Sequence, residues 1–264
     1  MTAARSDLRP RFRLPTLPRR SYQALIDLCL RPEVILAGAD RIPTGACIFA
    51  TNHPNREEIL LVNRLVNRPL RTIVDAGLLE REFLLGEIEK ALQNTYRFPD
   101  WVGRFGVIVA DWIARQHRRL GCIPVVRDPA HPGAFAVNRA ALRASITALE
   151  KGEAIAMAPE GGLTPVGGIG ELQQGVAQLA WYFARRGRAI PVVPVIFAGS
   201  RDLERSLLSR GRITIAVGEA LTLDPLPGEQ RKAAFRRFTA DLHAAMTGVA
   251  ARLEHRASSA LSGE

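Results

Sequence analysis

The chain has 264 residues, 47% of them hydrophobic and 23% charged, enough to bury a substantial core; wholesale disorder is excluded, and we expect one main domain. Its formal net charge is +10, and because lysine occurs only at Lys90, Lys151 and Lys232, arginine carries the field. Such a surface attracts anions, and the planar guanidinium grips phosphate or carboxylate with two parallel hydrogen bonds.

The first twenty residues alternate arginine (Arg5, Arg9, Arg11, Arg13, Arg19, Arg20) with proline, without the apolar region of a secretory signal. They read as a basic, flexible arm (1–20) suited to an anionic bilayer surface. A single α/β domain is expected over 21–256 and a flexible tail over 257–264. The most apolar early stretch, 22–36, is broken by Asp27, Arg31, Pro32 and Glu33, so no segment reaches the roughly 20 apolar residues of a membrane span. Cys29, Cys47 and Cys122 are far apart in apolar surroundings and read as reduced and buried, and no combination with the five histidines has metal-ligand spacing.

From residue 46 onward, short apolar runs alternate with stretches of helical period. That is the pattern of an α/β fold, a mainly parallel central sheet flanked by helices. The predicted strands are 46–51, 71–76, 122–126, 153–158, 190–196 and 212–217. A helix is expected over 57–67. Another presents Phe135, Leu142, Ile146 and Leu149 on one face and stops at Lys151-Gly152. The last carries Phe235, Phe238, Leu242, Met246, Val249 and Leu253 at steps of three and four. Between the second and third predicted strands lies a helical insertion (77–120) holding Tyr96, Phe98, Trp101, Phe105 and Trp112. It is either an ordinary helical layer or a lid and acyl-chain wall at a lipid interface.

The chemistry centres on His53, which follows the first predicted strand in Thr51-Asn52-His53-Pro54-Asn55-Arg56-Glu57-Glu58. An imidazole beside a carboxylate can take a proton from a hydroxyl at neutral pH, and the carboxylate holds the tautomer and stabilises the imidazolium. No Gly-x-Ser-x-Gly elbow is present, so the expected nucleophile is the substrate's own hydroxyl. Donors for an oxyanion are expected near the carboxyl ends of the strands.

Four blocks occur in order: Asn52-His53 with Glu58, Gly121 to Arg127, Pro159-Glu160-Gly161, and the proline-spaced run 190–196. Together they resemble the glycerolipid acyltransferase superfamily, which includes the lysophosphatidate and glycerol-3-phosphate acyltransferases, over residues 42 to 250. The resemblance implies an enzyme similar to 1-acylglycerol-3-phosphate O-acyltransferases. His53 would be its general base and Glu58 the orienting carboxylate, with Asn52, Arg56, Arg127, Glu160 and Gly161 around the substrate. It implies an acyl-CoA or acyl-carrier protein donor, a lipid or small-alcohol acceptor, and no metal or organic cofactor. A cytoplasmic protein, peripheral at the inner face of the membrane, is expected. No nucleic-acid motif accompanies the arginines.

Two motifs depart from the family pattern. Glu58 stands where aspartate is usual, with a reach longer by about 1.5 Å, and Glu57 is an alternative partner. The third motif continues Gly162-Leu163 in place of threonine and arginine, and leucine cannot bind phosphate. Either another arginine, such as Arg56 or Arg127, compensates, or the acceptor carries no phosphate there. A catalytically silent acyl-chain or membrane binder is the competing expectation.

Overall fold

The structure is a computed structural model and describes residues 14–30, 33–54, 61–95, 101–164, 168–199 and 212–261. Seven strands are ordered β1-β7-β6-β2-β5-β3-β4. They are β1 Glu33–Ala37, β2 Cys47–Thr51, β3 Leu70–Asp75, β4 Ile123–Val125, β5 Ala154–Met157, β6 Val192–Ala198 and β7 Arg212–Val217. All neighbouring pairs are parallel except β6 with β7. The described helices are α1 Arg19–Leu30, α2 Arg81–Thr95, α3 Trp101–Arg119, α4 Ala134–Glu150, α5 Gly175–Ala184 and α6 Arg231–Leu261. The α/β architecture with a mainly parallel, helix-flanked sheet is therefore as expected, and all six predicted strands are present.

The strand missed in sequence is β1. It pairs with β7 from Glu33↔Arg212 to Ala37↔Ala216, a contact across about two thirds of the chain that no local pattern announces. With β1 counted, the helical insertion of α2 and α3 lies between the third and fourth strands. Strand β6 starts at Val192, two residues later than predicted, and runs on to Ala198 because its last four residues pair with β7.

The chain divides into two compact units, 1–22 with 73–141 and 23–72 with 142–264, the boundary passing through β3 and α4. In the second unit the sheet buries alternate residues on each face, as the two-residue period of a strand requires. Phe49, Val193, Val195, Phe197, Ile213, Ile215 and Val217 join Leu61, Val62, Leu65 and Leu70 in one apolar cluster. The final helix α6 buries Phe235, Phe238, Leu242, Met246 and Val249 as its period predicts. Gly218 lies close under it: a β-carbon there would be 2.7 Å from Val249 Cγ2, so a larger residue would force the buried valine to shift.

In the first unit, Leu84 of α2 and Ala110 and Ala114 of α3 form a second cluster with Leu78, Leu85, Ile88 and Ile113. Residues 14–18, the end of the expected arm, lie along α3. Trp112 Nε1 donates to Pro15 O at 3.0 Å, Arg115 Nη1 donates to Leu14 O at 3.0 Å, and Gln116 grips Leu17 through both ends of its amide. Trp112 also packs against Tyr22, ring centres 5.9 Å apart. This tryptophan serves the fold of its own unit. Tyr96 and Phe98 lie outside the described residues.

Two helix expectations need correction. The predicted helix over 57–67 is described only from Leu61, where the chain tightens into the 3-10 turn Val62–Arg64 and stops. Helix α4 stops at Glu150, before Lys151-Gly152 as expected, but its buried face is Ala134, Ala141, Ser145, Ala148 and Leu149, while Phe135 and Leu142 are exposed. Of the four apolar residues that mark the predicted face, Leu149 is buried and Ile146 half-buried, while small residues take the places of Phe135 and Leu142 in the contact.

Candidate functional site

Strand β2 is buried along its whole length and ends at Thr51, so the next residues emerge at the carboxyl end of a central strand. Open α/β sheets place their ligands at such ends. Asn52 continues the pairing with β6 beyond the strand. Its N–H donates to Val195 O at 3.2 Å, its Nδ2 donates to Phe197 O at 3.2 Å, and its Oδ1 accepts from Phe197 N at 2.7 Å. The amide thus imitates a backbone peptide. Asn52 is 5% exposed, and its amide ties the loop after β2 to the end of β6.

His53 is half-buried at this strand end. Its main chain is held on both sides by one residue: His53 N donates to Thr164 Oγ1 at 2.6 Å, and Thr164 N donates to His53 O at 2.7 Å. Thr164 belongs to the loop that follows β5. That strand pairs with β2 in parallel register, Cys47↔Ala154 to Ala50↔Met157, so both loops leave the same edge of the sheet.

The third block begins that loop. Gly161 N donates to Ala158 O at 3.1 Å to close a turn, and Gly161 has φ +66°, the left-handed region in which glycine is unstrained. Glu160 is inside the loop's own bonding: Oε2 accepts from Thr164 Oγ1 at 2.5 Å and Oε1 from Gly170 N at 2.7 Å. Gln173 N donates to Pro159 O at 2.7 Å, and His243 Nε2 lies 3.3 Å from Ile169 O, tying the far side of the loop to α6.

The first and third blocks, more than a hundred residues apart, are therefore joined, and the link is Thr164. Thr164 stands outside the Pro159-Glu160-Gly161 block, two residues past the position where the resembled motif has threonine. The available signal was a hydroxyl three residues beyond Gly161, in a loop that must cover buried main-chain groups. Leu163, beside it, is 54% exposed.

Arg127 belongs to the other unit. There Nε donates to Asp75 Oδ2 at 3.0 Å, from just beyond β4 to the last residue of the neighbouring β3. Asp75 Oδ1 also accepts from Gly77 N at 3.0 Å, so this carboxylate, unremarked in the sequence, orients the arginine. Arg56, Glu57 and Glu58 lie outside the described residues.

The environments of the remaining polar groups are structural. Burial lowers the pKa of His117 below its usual value, against a backbone hydrogen bond with Leu78 that raises it; His117 Nδ1 is 3.2 Å from Leu78 O. Burial pushes the Cys122 thiol up to about 12 and raises Cys47 as well, although Arg68 opposes the shift at Cys47. Both are free thiols held in the unreactive protonated form. Among the described residues, no three His, Cys, Asp or Glu side chains are grouped to hold a metal, and no helix is long and apolar enough to cross a membrane.

A half-buried imidazole with a firmly held main chain can act as a proton acceptor for a bound hydroxyl. No protein-family model matches the chain, and no curated protein matches it. Among solved structures, the chain is similar to the crystal structure of the 1-acyl-sn-glycerophosphate (LPA) acyltransferase PlsC from Thermotoga maritima. The two are 18% identical with a TM-score of 0.49, over 88% of this chain and 77% of that one. A likeness of this degree assigns neither family nor activity.

Proposed function

We propose that the protein is an acyltransferase that moves a fatty acyl group from a thioester, acyl-CoA or acyl-carrier protein, to a hydroxyl of a glycerolipid-type acceptor such as lysophosphatidate. His53 is the general base: it takes the acceptor's proton as the oxygen attacks the thioester carbonyl, and as the carbon–sulfur bond breaks the imidazolium returns that proton to the leaving sulfur, releasing the ester and the free thiol. Glu58, or Glu57, orients the imidazole. The activity belongs to phospholipid biosynthesis at the inner face of the membrane, which the arginine-rich chain meets as a peripheral protein. No metal or organic cofactor takes part in this reading.

The observation that carries the proposal is the junction of the first and third blocks. His53 follows a central buried strand and is bonded on both sides of its main chain to Thr164, in the loop that Pro159-Glu160-Gly161 begins. Two blocks chosen on sequence alone meet at the strand end where an α/β sheet offers a ligand site. The order of all four blocks supports the same reading.

A second reading of the acceptor is favoured by the exposed Leu163, which stands where the resembled motif has arginine. It takes the acceptor as an alcohol without a phosphate at that position. Purified protein incubated with oleoyl-CoA or oleoyl-acyl-carrier protein and a panel of lysophosphatidate, glycerol-3-phosphate and monoacylglycerol tests both readings, with products identified by mass spectrometry. A new ester on lysophosphatidate is the expected result. Esterification of monoacylglycerol alone selects the second reading, and free thiol without any ester from the panel overturns both.

A further inference from the structure

We infer that Thr164 is a positioning residue for His53, and that Glu160 acts through it instead of touching the substrate. The inference rests on the general-base reading of His53 and adds the device that aims this base.

Three groups form one directed chain. The N–H of His53 donates to Thr164 Oγ1 at 2.6 Å, and the same hydroxyl donates its proton to Glu160 Oε2 at 2.5 Å. A hydroxyl has one proton and two lone pairs. Because the proton goes to Glu160, a lone pair is left facing His53, and the direction of the chain is fixed. Hydrogen bonds in such a series polarise one another, and an anionic terminus strengthens them. Thr164 is 8% exposed, so water does not compete freely for these bonds.

The return bond, Thr164 N to His53 O at 2.7 Å, makes the contact bidentate. Two bonds to one residue's main chain define both its position and its rotation, and hence the direction in which the Cα–Cβ bond of His53 leaves the loop. From the other side, Asn52 is locked to Phe197. The two clamps fix the main chain from which the imidazole projects, so the ring starts from a defined position at the strand end.

Glu160 has its two carboxylate oxygens committed to different parts of its loop, Oε2 to Thr164 and Oε1 to Gly170 N. Both partners are donors, so the acid must be a double acceptor. Glutamine would set its NH2 against either the Gly170 N–H or the Thr164 hydroxyl, and in the second case that hydroxyl must turn its proton away and accept instead. An isosteric change at Glu160 therefore disturbs His53 through Thr164.

The test compares Thr164→Val, which keeps the side chain's size and removes the hydroxyl, with Thr164→Ser, which restores it. Steady-state kinetics with oleoyl-CoA and oleoyl-lysophosphatidate are paired with a pH titration of the His53 ring by ¹H–¹³C NMR, the signal being assigned by its loss in His53→Ala. Thr164→Val is expected to lower kcat by roughly tenfold to a hundredfold, the scale of misplacing a catalytic group by about 1 Å. KM should stay within about threefold, and the His53 ring signal should move. Thr164→Ser should return both readouts toward wild type.

Glu160→Gln supplies the same test from the other end should Thr164→Val not fold: kcat falls and KM holds. Wild-type kcat and an unmoved His53 signal in the variant tested overturn the inference, as does a rise in KM with kcat intact in Glu160→Gln, which would put this carboxylate on the substrate. If the wild-type protein esterifies neither lysophosphatidate nor monoacylglycerol, the acyltransferase reading fails, while the ring signal still decides whether Thr164 positions His53.

Discussion

Asn52 and Gln116 make the same pair of bonds in different units of the molecule. Asn52 accepts from Phe197 N and donates to Phe197 O; Gln116 accepts from Leu17 N and donates to Leu17 O. Each is buried, and each is followed by a histidine. The consequences diverge because the local backbone differs. Asn52 ends a strand, so His53 starts a loop and is half-buried. Gln116 sits in α3, where the next residue turns by about 100°, and His117 is buried within its unit beside Leu78 O. An amide followed by a histidine is therefore no mark of catalysis; a strand end turns one instance into a candidate base, and a helix turns the other into packing.

The strongest way to break this comparison is to remove the two histidines in turn. His53→Ala should lower kcat for thiol release by about 10²- to 10⁴-fold, the usual contribution of a general base. His117→Gln should leave it within a factor of about two. Comparable losses from both variants would mean that burial does not separate their roles.

Replacing the two amides sharpens the contrast. Asn52→Ala leaves the N–H and C=O of Phe197 without their partner, and urea unfolding should show a loss of about 2–4 kcal/mol. Because it also loosens the residue before His53, the folded fraction should turn over more slowly. Gln116→Ala orphans Leu17 in the same way at a less enclosed segment and should cost about 1–3 kcal/mol, with turnover per folded molecule unchanged.

The smallest effect is a tilt of stability with pH. His117 has a folded pKa below its unfolded value of about 6.5, so the unfolded chain binds more protons in mild acid. The stability it contributes is present above about pH 6.5 and is lost as pH falls through the folded value. His117→Gln should flatten the dependence of unfolding free energy between about pH 7 and pH 5. An unchanged slope would mean that another group governs this window.

Much of the fold was legible because burial repeats at short range. Strands such as β2 and β6 are mostly runs of apolar residues, and α6 announces its buried face through Phe235, Phe238, Leu242, Met246 and Val249. Legibility failed where a contact depends on distant chain or on small residues. Strand β1 is defined by β7, and α4 packs through alanine and serine, which leave almost no hydrophobic signal, while its exposed Phe135 and Leu142 leave a misleading one.

At the site, the sequence by itself determined the kinds of group available: an imidazole after a strand, a Pro-Glu-Gly turn after another, and arginine in excess of acid. These follow from residue identity and local period, which need no knowledge of what lies across the fold. Only the tertiary structure decided how these groups are used. It gave Asn52 to Phe197, Glu160 to Gly170 and Thr164, and Arg127 to Asp75. Hydrogen bonds act over about 3 Å, and which donor comes within that distance of which acceptor is a property of the folded chain.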